Sequence, residues 1–202
     1  MARIEPLDPA TASDDVRETL ENLPPLNIFR TLGHAETAFR PFLRIGGAVL
    51  GEMALDPLVR ELAILTVAKE AEAEYEWIQH VAIAKHLGAS DEQIAALAEV
   101  DSCSSEGADE RVAEAGAGQL FDQPQRAAIE LAAAVVRGPR VSDELWGCVR
   151  PQFSDREVVE LLLAVGEYLM LARVMTVLEI DLDEAVGDAV LRGRRDRPGE
   201  LA

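Results

Sequence analysis

One apolar run, Leu161 to Leu178, constrains the fold more than any other stretch, because it is long enough to be mistaken for a membrane span. Gly166, Glu167, Tyr168 and Arg173 lie inside it. Two full charges within the run make a buried helix of a soluble fold the better reading, and no membrane association is expected. The start of this helix is marked by Ser154-Asp155-Arg156-Glu157, in which a Ser N-cap and a Glu three residues later satisfy each other's exposed backbone donors. Ser90-Asp91-Glu92-Gln93 is a second box of this kind and opens a short helix ending near Val100.

Periodicity of 3.6 residues predicts further helices over about 14–22, about 35–50, 57–70 and 74–87. Pro124 suits a first helical turn leading into Arg126 to Arg137, and Ser142 caps a short helix through Trp146. No run alternates apolar and polar residues as a half-buried strand does, so the expected fold is all-α, a compact helical bundle. The segment 101–118 is rich in Ser, Gly, Ala and acidic residues and reads as a flexible connection. The chain past residue 185 ends in an Arg-rich tail, read as frayed and solvated. A formal charge of −18, from 19 Lys and Arg against 37 Asp and Glu, argues against nucleic acid as the partner. Cys103 and Cys148 are the only cysteines, too few for a disulfide framework or a thiolate metal site. With no apolar leader before Pro9, a reducing cytoplasm is the expected compartment.

Histidine is the side chain best suited to exchange protons near neutral pH, and there are three: His34, His80 and His86. His86 reads as a surface residue at a helix end, and His34 as a cap between two helices. His80 is different, since its helical neighbours are Glu76, Trp77, Ile83 and Ala84, an apolar face with one carboxylate a turn away. In the preceding helix Glu61 has Pro57, Leu58, Ile64 and Leu65 beside it, so a carboxylate points into the stripe that must face the core. A buried carboxylate must be paired or protonated. Two readings stand: a structural polar network, or a Glu and a His meeting in a pocket as acid and base. Glu167 and Tyr168 are read as a buried structural pair rather than as cavity residues. Glu179, Asp181, Asp183 and Glu184 form an acidic cluster without calcium-loop spacing, read as a solvated edge, and no metal site is nominated.

Arg60-Glu61-Leu62-Ala63-Ile64-Leu65, then Glu74-Tyr75-Glu76-Trp77-Ile78-Gln79-His80, then Ala84, Gly88 and Asp91-Glu92-Gln93-Ile94 resemble the carboxymuconolactone decarboxylase family, which includes the alkylhydroperoxidase D-type proteins. The resemblance is specific over about 56–97 and looser on the flanks. It implies an N-terminal extension with one short helix over 1–26, a family domain over 27–184 and a tail over 185–202. It also implies a homo-oligomer, a trimer or hexamer. In the peroxidase branch a Glu precedes Cys-x-x-Cys and a His; here the Glu and His fall on Glu61 and His80, whereas the cysteine positions are Ala73 and Glu76. A thiol peroxidase needs both sulfurs. What the resemblance leaves is a proton-transfer set: His80 as general acid or base, Glu61 orienting it, Glu76 as a second carboxyl group, with Tyr75 and Trp77 shaping the substrate pocket. The activity implied is that of a cofactor-independent lyase or isomerase acting on a small organic acid or lactone. Its alternatives are alkylhydroperoxidase-type antioxidant activity and a non-catalytic small-molecule binder.

Overall fold

The computed structural model describes residues 2–99 and 120–187. The connection expected over 101–118 and the Arg-rich tail lie outside them. The described residues are helical and contain no strand, an all-α fold. In chain order the helices are α1 (Asp14–Glu21), α2 (Asn27–Leu32), α3 (Glu36–Gly51), α4 (Pro57–Glu70), α5 (Glu74–His86), α6 (Asp91–Ala98), α7 (Gln123–Arg137), α8 (Asp143–Val149) and α9 (Asp155–Leu178).

The centre of the bundle is α4. Asp56 caps it by accepting from the backbone N–H of Leu58 and Val59 at 2.9 and 3.0 Å, and Pro57 occupies the first turn, where no N–H is needed. From Val59 to Ala68 every residue is buried, because α5, α7 and α9 all pack against this one helix. Ala63, Ile64 and Val67 join Leu131, Leu161 and Val165 in the larger core. Leu62 and Leu65 join Ala84, Ile94 and Leu97 on the opposite side. Each fully buried Leu or Ile contributes about 1.5–3 kcal/mol, so a helix covered all round anchors the fold.

Both expected capping boxes form, Ser90 with Gln93 and Ser154 with Glu157. A third, Asp122 with Gln125, opens α7. One side of α9 enters the core through Leu161, Ala164, Val165, Tyr168 and Ala172. Its other side exposes Val159, Leu163, Met170 and Val177. Among the described residues it is the helix long and apolar enough to cross a membrane by length and composition.

The N-terminal residues pack on the bundle through Val16 and Leu20 of α1 against Phe39 of α3. His34 does not cap a helix; its Nε2 lies 3.0 Å from the carbonyl of Glu5 and ties the α2–α3 turn to this segment. Helix α2 lacks a cap of its own, and a residue far along the chain supplies one. The Asn27 N–H donates to Asp183 Oδ2 at 2.6 Å, and Asn27 Nδ2 donates to Asp183 Oδ1 at 2.9 Å. Asp183 also accepts from the Tyr75 hydroxyl. The acidic cluster read as a solvated edge therefore contains one carboxylate that fastens α2 and α5 together.

Candidate active site

Glu72, between α4 and α5, takes a left-handed backbone (φ 55°), and the Ala73 N–H returns to the carbonyl of Ala68 at 2.8 Å. This sharp reversal lays α5 back along α4 and brings two residues nineteen positions apart into contact. His80 Nδ1 lies 2.7 Å from Glu61 Oε2, both side chains being buried. The other oxygen, Oε1, accepts from Arg60 Nε and Nη2 at 3.1 and 3.0 Å. A guanidinium keeps its charge under all ordinary conditions, so Glu61 is the carboxylate of a buried ion pair and Nδ1 is the donor toward it. That arrangement fixes the imidazole tautomer and leaves Nε2 as the ring nitrogen open to a ligand. The Tyr168 ring stands edge-on to His80, centroids 4.6 Å apart at 85°, and holds the imidazole plane.

His80 lines a cavity of about 100 Å³ between α2, α3, α5 and α9. Leu26, Ile28, Phe29, Phe42, Leu43 and Met175 supply apolar wall. The polar groups are Tyr75, Glu76, Gln79, His80, Glu167 and Tyr168. Glu76 is 2% exposed, and neither of its carboxyl oxygens has a hydrogen-bond partner among the described residues. Burial pushes its proton affinity well above the ordinary carboxylate range, and the charges of Glu61 and Glu167 add to the shift. Glu76 is thus held as a neutral acid. Burial likewise raises Tyr168 and Tyr75, the first reinforced by Glu61, Glu167 and Glu76, the second by its hydrogen bond to Asp183, so both phenols keep their protons.

The sequence-nominated residues separate into two sets. Glu61, Glu76, His80 and Tyr75 come together at or beside the cavity. Trp77, expected to shape the pocket, lies on the other side of α5, against the cluster of Leu62, Leu65, Ala84 and Ile94. Its position is one helical step past Glu76, a rotation of about 100° that carries it away from the cavity face. Glu167 and Tyr168, read as a structural pair, line the cavity instead, while Arg173 is exposed. Asp183 was not singled out from its acidic neighbours, and nothing local marks it. The positions that carry sulfur in thiol peroxidases hold buried Ala73 and Glu76. Cys148 is exposed on α8, away from the residues that line the cavity, and Cys103 lies outside the described residues.

An all-α bundle with a buried Glu–His pair at the junction of two antiparallel helices defines the class. Residues 36–118 match the family model of the carboxymuconolactone decarboxylase family, and the fold of the chain is alkylhydroperoxidase D-like. No curated protein matches it by sequence. Three crystal structures share the fold. An uncharacterized peroxidase-related protein from Silicibacter sp. TM1040 is 19% identical with a TM-score of 0.69, covering 89% of this chain and 92% of that one. An alkylhydroperoxidase AhpD core protein from Ralstonia eutropha JMP134 is 17% identical, with a TM-score of 0.69 and 96% of each chain covered. A cysteine-to-alanine variant of the debrominase Bmp8, in complex with 2,3,4-tribromopyrrole, is 15% identical, again with a TM-score of 0.69 and 96% of each chain covered.

Proposed function

We propose that this protein is a cofactor-independent proton-transfer enzyme, a lyase or isomerase, acting on a small uncharged lactone or enolisable carbonyl compound. One observation carries the reading: a histidine oriented by a buried carboxylate shares a largely apolar cavity with a neutral carboxylic acid that has no hydrogen-bond partner among the described residues. Base and acid in one largely apolar site are what enolisation needs. His80 Nε2 takes a proton from the carbon next to the carbonyl, and the electron pair moves onto the carbonyl oxygen. Glu76 donates a hydrogen bond to that oxygen, stabilising the charge that develops there. The imidazolium, stabilised by Glu61, then returns the proton to another carbon of the same conjugated system. Nothing else is consumed, so the net change is an isomerisation.

An organic acid is the weaker substrate, because no lysine or arginine is among the described residues that line the cavity. Thiol peroxidation is not proposed, since neither active-site sulfur is present. The expected assembly is a homo-oligomer, trimer or hexamer, and the apolar outer side of α9 supports it.

The test is the isomerisation of α-angelica lactone, a five-membered lactone whose double bond moves into conjugation, followed by ultraviolet absorbance. The expected result is turnover that falls by about two to four orders of magnitude in His80→Ala, with the fold retained by circular dichroism. Equal rates in the native chain and the folded variant would assign the network to structure or to ligand binding without catalysis.

A further inference from the structure

The walls of the cavity are not equally fixed. Helices α5 and α9 both pack on α4, and α3 packs on α9. The remaining wall, Leu26, Ile28, Phe29 and Leu32, belongs to α2 and the residue before it. Helix α2 has six residues, too few to be stable by itself in water. Among the described residues no other helix backbone runs close along it. It is held instead at its two ends. At its last turn Arg30 Nε donates to the carbonyl of Leu7 at 3.0 Å. At its first turn the N–H groups of Asn27 and Ile28 find acceptors outside the helix. The first is Asp183 Oδ2, and the second is the Tyr75 hydroxyl at 3.5 Å, which itself donates to Asp183.

Asp183 belongs to a strap, residues 180–186, that leaves the end of α9, crosses the start of α2 and continues along α5. Asn27 Nδ2 donates to the carbonyl of Asp181 at 3.2 Å as well as to Asp183. The Gln79 amide meets the strap through both of its atoms: Nε2 donates to the carbonyl of Glu184 and Oε1 accepts from the Val186 N–H, each at 3.1 Å. Ile180 is the one buried side chain of the strap, set against Leu26, Ile28, Tyr75 and Met175. Those four residues also line the cavity. The strap thus ties α2 to α5 behind the cavity wall, chiefly through hydrogen bonds close to solvent. Contacts with so little apolar burial behind them open locally, without unfolding of the core.

We propose that the strap 180–186 is a latch with Asp183 as its bolt, and that its release lets the start of α2 move away from α5 and admits a ligand to the cavity. Of the four walls, α2 is the one that opens without disturbing a helix packed on α4 or α9.

Hydrogen exchange and ligand exchange test this together on the full chain at pH 7. In the native chain the amides of 24–33 are expected to exchange through a local opening insensitive to low urea, and those of 57–70 only through global unfolding. Asp183→Asn is expected to speed exchange in 24–33 by at least about tenfold, the consequence of weakening hydrogen bonds to a charged group, and to leave 57–70 unchanged. Fluorobenzene, followed by fluorine NMR, is the ligand; having no carbonyl group to enolise, it probes the latch apart from the proton-transfer reading. Its association and dissociation rates are both expected to rise by the factor seen in 24–33, with the affinity unchanged, because the free and the bound chain are both latched. Asn27→Ala, which removes only the side-chain bonds to Asp181 and Asp183, is expected to give a smaller rise in the same quantities, and it decides if Asp183→Asn does not fold. Exchange of 24–33 only in step with 57–70, in the native chain or in a variant, overturns the proposal. So does faster exchange of 24–33 with fluorobenzene rates unchanged, which places the entrance elsewhere, and so does failure of the native chain to bind fluorobenzene.

Discussion

Replacing Glu76 with glutamine exchanges a buried titratable group for a neutral one of nearly the same shape, and the consequence for stability is set by a proton. In the folded chain Glu76 is held protonated by burial and by the charges of Glu61 and Glu167. In the unfolded chain it ionises near the ordinary glutamate value, about 4.3. Above that pH the native state therefore binds one proton more than the unfolded state, and stability falls as pH rises. The loss is about 1.4 kcal/mol for each pH unit between the unfolded-state value, below which Glu76 contributes no penalty, and the raised folded-state value, above which the loss levels off. Glutamine leaves its polar atoms in the same unpartnered surroundings but has no proton to lose, so subtracting the variant isolates this effect. Urea denaturation at a single protein concentration, at pH 5, 6 and 7, measures it, the fixed concentration excluding shifts from self-association. The variant is expected to gain on the native chain by about 1.4 kcal/mol per unit from pH 5 upward. A stability difference that stays flat across this range, or that favours the native chain increasingly as pH rises, refutes the assignment of Glu76 as a neutral acid.

Arg60→Met removes the cation from a pair whose side chains are 3% and 0% exposed, leaving Glu61 buried with only His80 beside it. The expected cost is about 3–5 kcal/mol in chemical denaturation, and adding Glu61→Gln should recover part of it; a single variant as stable as the native chain would show that the pair is not buried in solution. For the assembly, light scattering is expected to give a multiple of the 21.9 kDa chain mass, reduced by Leu163→Glu with Met170→Glu on the exposed side of α9. A monomer mass for the native chain would count against the homo-oligomer, and a mass unaffected by the two charges would move the interface elsewhere.

Helix boundaries were legible wherever the signal is local. Ser90, Ser154 and Ser142 each mark a helix start within four residues of the groups they satisfy, and the structure begins helices at those places. The inward aim of Glu61 was legible from its apolar neighbours at three and four residues. Helix α2 was not, because its first turn is satisfied by Asp183, a partner 156 residues away that no window of sequence contains. Trp77 shows the limit of a different kind. Both sides of α5 are covered, so an apolar neighbour of His80 belongs to either side until the elements packed there are known. The environment of Glu167 was hidden for the same reason: periodicity shows that it faces inward, but not that α3 presents a glycine to it.

The fastening of α2 by Asp183 has a consequence for the order in which the chain acquires structure. Helices α4 and α5 contain Glu61 and His80 within twenty residues and are made early in synthesis, joined by a tight turn that closes at little entropic cost. The wall formed by Leu26, Ile28 and Phe29 is made earlier still, yet the contact that holds its first turn waits for residue 183. A contact spanning so much of the chain forms late. The Glu61–His80 pair is thus a local product of the sequence, whereas the chamber around it is a product of the nearly finished chain.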